Sequence, residues 1–245
     1  MSTTNLSPRK LIYLADMRLP TDWAHGIQIM KMCEAFSTHQ FKVELVVPRR
    51  FNKIKQDPWQ YYGLAPKFKI VKLPCLDLMP LGALKLTFLL EKFSFFLSAR
   101  AYLWFKQYDI LYTREALSSW LFRRHVLELH VIPGQVRNWQ RWLWRRPGKI
   151  VALTAIMKQV LRANGVRRKI IVAPDGVDLE QFSLSMSQEE ARRQLNLPLD
   201  QHIVMYTGSI YLYDWKGVDV LLAAAEFLSS DTVIILVGGS ETEIK

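Results

Sequence analysis

Lys216 stands at the head of a helical pattern (Val218, Leu221, Leu222, Ala225), shortly after Gly208 closes the apolar run HIVMYTG (202–208). An ammonium beside the unpaired N–H groups of a helix start can hold a pyrophosphate, since that end carries partial positive charge and free donors. Ser209 follows the glycine and adds a hydroxyl. The plainer account of Lys216 is a solvated lysine at a helix end. A second set of candidates lies earlier. His130 ends the run LELH, at the carboxyl edge where open α/β sheets place their ligands, and Arg114 and Glu115 follow DILYT at another such edge. Each has an ordinary alternative: a packed, hydrogen-bonded histidine, and a surface salt bridge for the other two. In DMRLPTDWAHGIQIM (16–30), Gly26 removes the side chain that would keep a diphosphate or sugar from the backbone. His25, beside it, reads equally as a ligand contact or as a capping or surface residue. No Asp-x-Asp segment offers metal ligands, so no metal is expected.

The elements that must position these residues are legible as alternation. Short β-branched runs recur: KLIYLAD (10–16), KVELVVP (42–48), KIVKLP (69–74), DILYT (109–113), LELHV (127–131), KIVALT (149–154) and KIIVAP (169–174). Helical patterns separate them, which predicts an α/β fold with a parallel sheet covered on both faces. Ile29, Met32, Cys33 and Phe36 mark one helical face; Ala155, Ile156, Met157 and Val160 mark another, between a Thr154 start and a Gly165 stop. After Pro174 come the turn-rich DGVDLEQF, the charged helix SQEEARRQLNL, and a βαβ unit from HIVMYTG to TVIILVGG (232–239). The expected division is a Rossmann-like domain over 1–174, a linker over 175–201 and an incomplete nucleotide-binding domain over 202–245. Roughly 45 residues are too few to cover both faces of a sheet. The domain is therefore expected to be truncated, or completed by a second chain.

Half of the 245 residues are apolar, enough for a sizeable core, and the two cysteines, Cys33 and Cys75, lack metal spacing and read as buried thiols of a reducing compartment. The first ten residues are polar, without the apolar stretch of a signal peptide, so a cytoplasmic location is expected. The apolar stretch from Leu78 to Leu97 is broken by Pro80, Lys85, Glu91 and Lys92 and is no membrane span. The net charge of +11 hides a division: residues 1–174 carry 29 Lys+Arg against 10 Asp+Glu, residues 175–245 carry 4 against 12. RNWQRWLWRRPGK (137–149) sets Trp139, Trp142 and Trp144 among five cations, and residues 84–106 add further aromatic and basic side chains. Such text suits an anionic membrane surface or a lipid-linked acceptor, and also an RNA surface or core tryptophans under solvated cations.

The segment Lys149–Phe182, KIVALTAIMKQVLRANGVRRKIIVAPDGVDLEQF, resembles the crossover region of retaining GT-B glycosyltransferases of family 4, and YTGSIYLYDWKGVDVLLAAAEFL (206–228) resembles their first phosphate-binding unit. The resemblance implies two Rossmann-like domains and transfer of a glycosyl group from a nucleoside-diphosphate sugar to an acceptor hydroxyl with retained configuration. It implies that Lys216, with the Gly208 loop, holds the donor phosphates without a metal. The arginine that usually follows that glycine is Ser209 here, a departure that weakens the phosphate clamp because a hydroxyl brings neither charge nor a bidentate fork. It implies that the loop with His25 and Gly26 packs over donor and acceptor, that His130 contacts the transferred sugar, and that Arg114 and Glu115 face acceptor or donor. The acceptor implied is a lipid-linked or other saccharide, with peripheral contact at the inner membrane face. The family's Glu-x7-Glu element does not occur before Lys245, and Glu241 and Glu243 lack its spacing. A non-catalytic remnant or half of a split enzyme is therefore one rival. A sugar-nucleotide epimerase is another, which the GVD---F and DWKG texts disfavour. A nucleic-acid-binding protein is a third, and no motif supports it.

Overall fold

The computed structural model of the chain describes residues 7–78, 85–183, 185–210 and 214–239. Strand β1 (Arg9–Leu14) is buried from Leu11 onward, as a strand covered on both faces must be. Leu11 and Tyr13 point to one face, with Val43, Leu45 and Val47 of β2 (Phe41–Arg49) and with Ile29, Met30 and Cys33 of α1 (Ala24–Thr38). Ile12 and Leu14 point to the other, with Val46 and with Phe95, Phe96, Ala99 and Leu103 of the long helix α3 (Lys85–Trp104). The period-2 alternation of one strand thus builds two cores. Between β2 and α3 lie α2 (Pro58–Tyr62), capped by the Asp57 side chain, and β3 (Lys69–Pro74).

The second half of the sheet adds β4 (Ile110–Thr113), β5 (Val126–Leu129), α4 (Asn138–Trp144), β6 (Lys149–Ala152), α5 (Ala155–Ala163) and β7 (Lys169–Val172). Leu127, Leu129, Ile150 and Ala152 meet Trp144 and Leu161 in a third cluster. Among the described residues seven strands run parallel in the order β3-β2-β1-β4-β5-β6-β7. The winding reverses between β1 and β4, and such a reversal opens a crevice at the carboxyl ends of the strands. The expected α/β parallel sheet is therefore present.

Several local expectations are met, and others are corrected. The Thr154 side chain accepts the Met157 N–H as the α5 cap, and Gly165, at φ 79°, follows the helix end. The face of α5 that packs is Met157 and Leu161, one turn apart, while Ile156 is exposed. Of the three tryptophans in α4 only Trp144 is buried; Trp139 and Trp142 are exposed. The β5 strand ends at Leu129, leaving His130 just beyond it. Both thiols are unbridged, Cys33 buried and Cys75 half-buried.

The chain divides into two compact units, residues 1–176 and 177–245. The second begins with two short capped helices, α6 (Leu179–Phe182), capped by Asp178, and α7 (Gln188–Gln194), closed by a Ser187–Glu190 capping box. Strands β8 (His202–Thr207) and β9 (Thr232–Val237) pair in parallel, with α8 (Val218–Ala224) between them in sequence. Val218 is the one buried hydrophobic residue among the described residues of this unit.

Candidate functional site

At the winding reversal a cavity of about 350 Å³ is lined by Asp16, His25, Arg114, Glu115 and His130, with Ile29 among its apolar walls. Asp16, Arg114, Glu115 and His130 follow the carboxyl ends of β1, β4 and β5, and His25 is the second residue of α1. Residues more than a hundred positions apart thus converge, because parallel strands all deliver their ends to one edge.

His130 is held from the buried side. Its Nε2 lies 2.5 Å from Oε1 of Glu128, which is only 3% exposed. Burial alone would raise the Glu128 carboxyl, but hydrogen bonds from His130 and Tyr112 and the nearby charge of Arg114 bring it below the ordinary glutamate range. A carboxylate only accepts, so the His130 nitrogen facing it carries the hydrogen. The other ring nitrogen, Nδ1, lies 3.8 Å from Asp175. Burial, then the carboxylate of Glu128, pushes the Tyr112 hydroxyl far above its usual range, so it remains a neutral donor.

Gln28 joins these groups. It accepts from Arg114 at 2.7 Å and donates to Glu128 at 3.2 Å and to Asp175 at 3.3 Å. Burial, then the Arg114 charge, lowers the pKa of His25 below the ordinary histidine value, which keeps that imidazole neutral at pH 7. Glu115, the remaining expected contact, pairs with Lys92 at 2.7 Å; Lys92 also meets Asp16 at 3.0 Å, and Asp16 meets Arg50 at 2.7 Å. Arg50 is in turn paired with Glu91 of α3. Burial works against the Lys92 charge, but Glu115 and Asp16 outweigh it and raise its pKa. The salt-bridge alternative for Glu115 is thus realised, inside the cavity wall.

Gly26 receives a different account from the expected one. A β-carbon there would collide with the Tyr62 hydroxyl and the Thr21 side chain. Tyr62 bridges both the N–H and the carbonyl of Thr21, at 2.8 and 2.9 Å. The close approach that Gly26 permits is that of its own neighbours, and the residue is buried.

In the second unit, Gly208 and Lys216 do come together, since a β-carbon on Gly208 would sit 3.2 Å from the lysine Nζ. Lys216 ends a single 3-10 turn (Asp214–Lys216), and Gly217 at φ 66° caps α8, so the lysine precedes the α-helix by a turn instead of opening it. The Ser209 carbonyl accepts from the Tyr206 hydroxyl at 2.6 Å. Gly238 packs backbone to backbone on the Gly208 carbonyl, where any side chain would clash. Glu241 and Glu243 lie outside the described residues.

Glu128, Gln28 and Asp175 went unread in the sequence. Glu128 had a signal: two residues before His130 in a strand, it shares that residue's face. Gln28 is one helical turn after His25 and had the same kind of signal. Asp175 had none, because only the fold brings it to β5. Glu128, His130 and Asp175 each present one ligand atom within 4.8 Å of the others, the residue types a divalent ion takes. Gln28 and the His130–Glu128 bond occupy those atoms, and Arg114 adds positive charge beside them.

The fold has counterparts among solved structures. A sucrose-phosphate synthase from Thermosynechococcus elongatus superposes with a TM-score of 0.69 at 19% identity, over 96% of this chain and 64% of that one. The catalytic domain of starch synthase IV from Arabidopsis thaliana, bound to ADP and acarbose, superposes with a TM-score of 0.61 at 12% identity, over 95% of this chain and 69% of that one. At these identities the likeness is one of fold, the GT-B glycosyltransferase architecture. In sequence, a D-inositol 3-phosphate glycosyltransferase from Xylanimonas cellulosilytica is 34% identical over 77 residues, covering 29% of this chain and 18% of that protein. The chain thus spans about two thirds of the structures it resembles and aligns with under a fifth of that relative. Residues 26–181 match the model of Glycosyltransferase Family 4, a span that takes in Gln28, Arg114, Glu128, His130 and Asp175, and the chain belongs to that family.

Proposed function

We propose that the chain carries the acceptor-side domain and the first phosphate-binding unit of a retaining glycosyltransferase, which moves a sugar from a nucleoside diphosphate to a hydroxyl of a lipid-linked or other saccharide acceptor. The observation that carries the reading is His130, oriented by buried Glu128 at the winding reversal of a family 4 domain. In this reading the His130 ring faces the transferred sugar while Glu128 holds its hydrogen and its orientation. Arg114, tied back by Gln28, and neutral His25 complete a wall of donors around the sugar hydroxyls. The leaving diphosphate is stabilised at Lys216 and the backbone N–H groups of the Gly208 turn, protein groups that serve in place of a metal ion. The scarcity of buried apolar residues in the second unit favours its completion by further protein that supplies the remaining donor contacts.

The test is thermal unfolding with UDP, GDP and ADP, followed by transfer assays with the matching sugar nucleotide. One nucleotide should raise the midpoint, since ligand at about 100 times its Kd stabilises by about 2.7 kcal/mol. Lys216→Ala should abolish that rise, and His130→Ala should retain it while losing transfer. A chain whose midpoint none of the three nucleotides moves, even after a completing domain is added, would sink the reading.

A further inference from the structure

Parallel strands bring all their amino ends to one edge of the sheet, opposite the edge that holds the cavity. On that amino edge β5, β6 and β7 begin in basic text. Arg123 and Arg124 precede β5, Lys149 opens β6, and Arg167 and Arg168 lead into Lys169 at the start of β7, all six of them exposed. They share one surface. Lys149 and Lys169 are register partners on neighbouring strands, which lie about 4.8 Å apart, and the Gly148 N–H donates to the His125 carbonyl at 2.9 Å, drawing the β5 and β6 starts together. Arg145 joins them by donating to the Asn164 carbonyl at 3.2 Å, in the turn from α5 to β7.

Among the described residues none of the six is paired with a carboxylate. Residues 116–174 hold 12 Lys+Arg and a single acidic residue, Glu128, which is buried near the carboxyl end of β5. The other half of the same edge is neutralised. Glu44 lies 3.8 Å from both Lys69 and Lys106, and Asp109 accepts the Lys10 N–H at 2.7 Å. Gathering like charge without counter-charge works against the compact state by self-repulsion, and an anionic partner relieves it.

The second unit carries the opposite sign at its own amino edge. Asp200 precedes β8, Asp231 precedes β9, and Glu226 lies in the turn that leads to β9, all exposed. The His202 N–H donates to the Asp231 carbonyl at 2.8 Å, so these strand starts adjoin. Arg192, close to Asp200, is turned onto the carbonyls of Pro198, Leu199 and Gln201.

We propose that the basic edge of the first unit binds the acidic edge of the second unit of another copy of this chain, head to tail. Such a contact joins two different surfaces, so it propagates or closes as a ring instead of stopping at a two-fold pair. Opposite charges at exposed rims set orientation and encounter rate more than affinity, which makes the association reversible and salt-sensitive. The cavity stays open, because it lies at the other end of the four-residue strand β5, about 13 Å away. Nucleic acid would also meet the basic edge, but it leaves the acidic edge without a role. The contact needs neither a nucleotide nor turnover and stands apart from the transfer reading.

Sedimentation velocity of the chain over a concentration series, before and after nuclease treatment, tests it. The expected result is a mean mass that rises with concentration at low salt and returns to the monomer at about 1 M salt, where the screening length is about 3 Å. Arg167→Glu/Arg168→Glu and Asp200→Lys/Glu226→Lys, each with an unchanged melting midpoint, should weaken the association about tenfold or more. Mixing the two variants should restore it, since the reversed edges then meet with opposite sign. The proposal is overturned if the parent stays monomeric at low salt, or if either folded variant associates like the parent. It is equally overturned if the mixture associates no better than each variant alone, or if nuclease abolishes the association, which would make nucleic acid the partner.

Discussion

The two units of the chain are built from the same strand–helix alternation and differ in what they bury. In residues 1–176 a seven-stranded sheet is covered on both faces at its central strands β1 and β2, and side chains such as Tyr13, Leu45 and Phe95 have no exposed surface. In residues 177–245 two strands pair, and Val218 alone is buried among the described apolar residues. Equal local pattern thus yields unequal burial, because burial scales with the number of layers that meet and not with the number of strands that form. The His130 cavity is thereby set in a packed frame within the first unit, whereas the Gly208 turn of the second is held mainly by backbone contacts, Gly238 on Gly208.

That contrast can be broken most directly in the core. Phe95→Ala should cost about 3–5 kcal/mol in urea unfolding, the usual loss for a fully buried phenylalanine. Val220→Ala in the second unit, where the side chain is exposed, should leave the main transition unmoved within about 0.5 kcal/mol. Comparable losses from the two would refute the asymmetry.

Acid should act through the first unit as well. His125 is fully buried against the Ser119 hydroxyl at 3.0 Å, and its pKa is lowered to about 4 by burial first, with Arg146 adding to it against a backbone hydrogen bond at Phe122. Unfolded chains titrate this group near 6.5, so they bind more protons than the native state as pH falls between those values. Stability is therefore full above about pH 6.5 and declines toward pH 4, by on the order of 3 kcal/mol. His125→Gln should flatten that decline in a series of melting curves across this range.

A smaller loss is expected inside the cavity. Glu128→Gln keeps the shape but removes the carboxylate that His130, Tyr112 and Gln28 address, which should cost about 1–3 kcal/mol in unfolding free energy. If the first unit owes its order to burial and only its chemistry to this network, transfer should fall far more than stability in the same variant. Smallest of all, Lys216→Ala should change the melting midpoint by no more than about 0.5 kcal/mol equivalent. Its effect should appear only as a lost nucleotide response, and a large drop in midpoint would mean that the second unit contributes core stability after all.

Elements were legible where the cause is local. Thr154 and Ser187 announce their helices through cap hydrogen bonds made within three residues, and the strand runs end where apolar residues end. The α5 face was harder to read: Ala155, Ile156, Met157 and Val160 are all apolar, and only packing on β6 and β7 selects Met157 and Leu161. Gly26 shows the same limit. Its sequence neighbourhood announces a close approach to the backbone, but that the approaching group is Tyr62 depends on a segment 36 positions away.

By itself the amino-acid sequence determined the α/β alternation, the ordered motif text that belongs to glycosyltransferase family 4, the charge division, and the individual candidates His25, Arg114, Glu115, His130, Gly208 and Lys216. Only the tertiary structure decided that Glu128 lies behind His130, that Gln28 links Arg114 to Asp175, that Lys92 claims Glu115, and that α3 keeps an apolar face uncovered. The physical reason is range. Caps, turns and periodicity are fixed by neighbours a few residues away, whereas a buried carboxylate against an imidazole exists only once parallel strands have brought their ends to one edge.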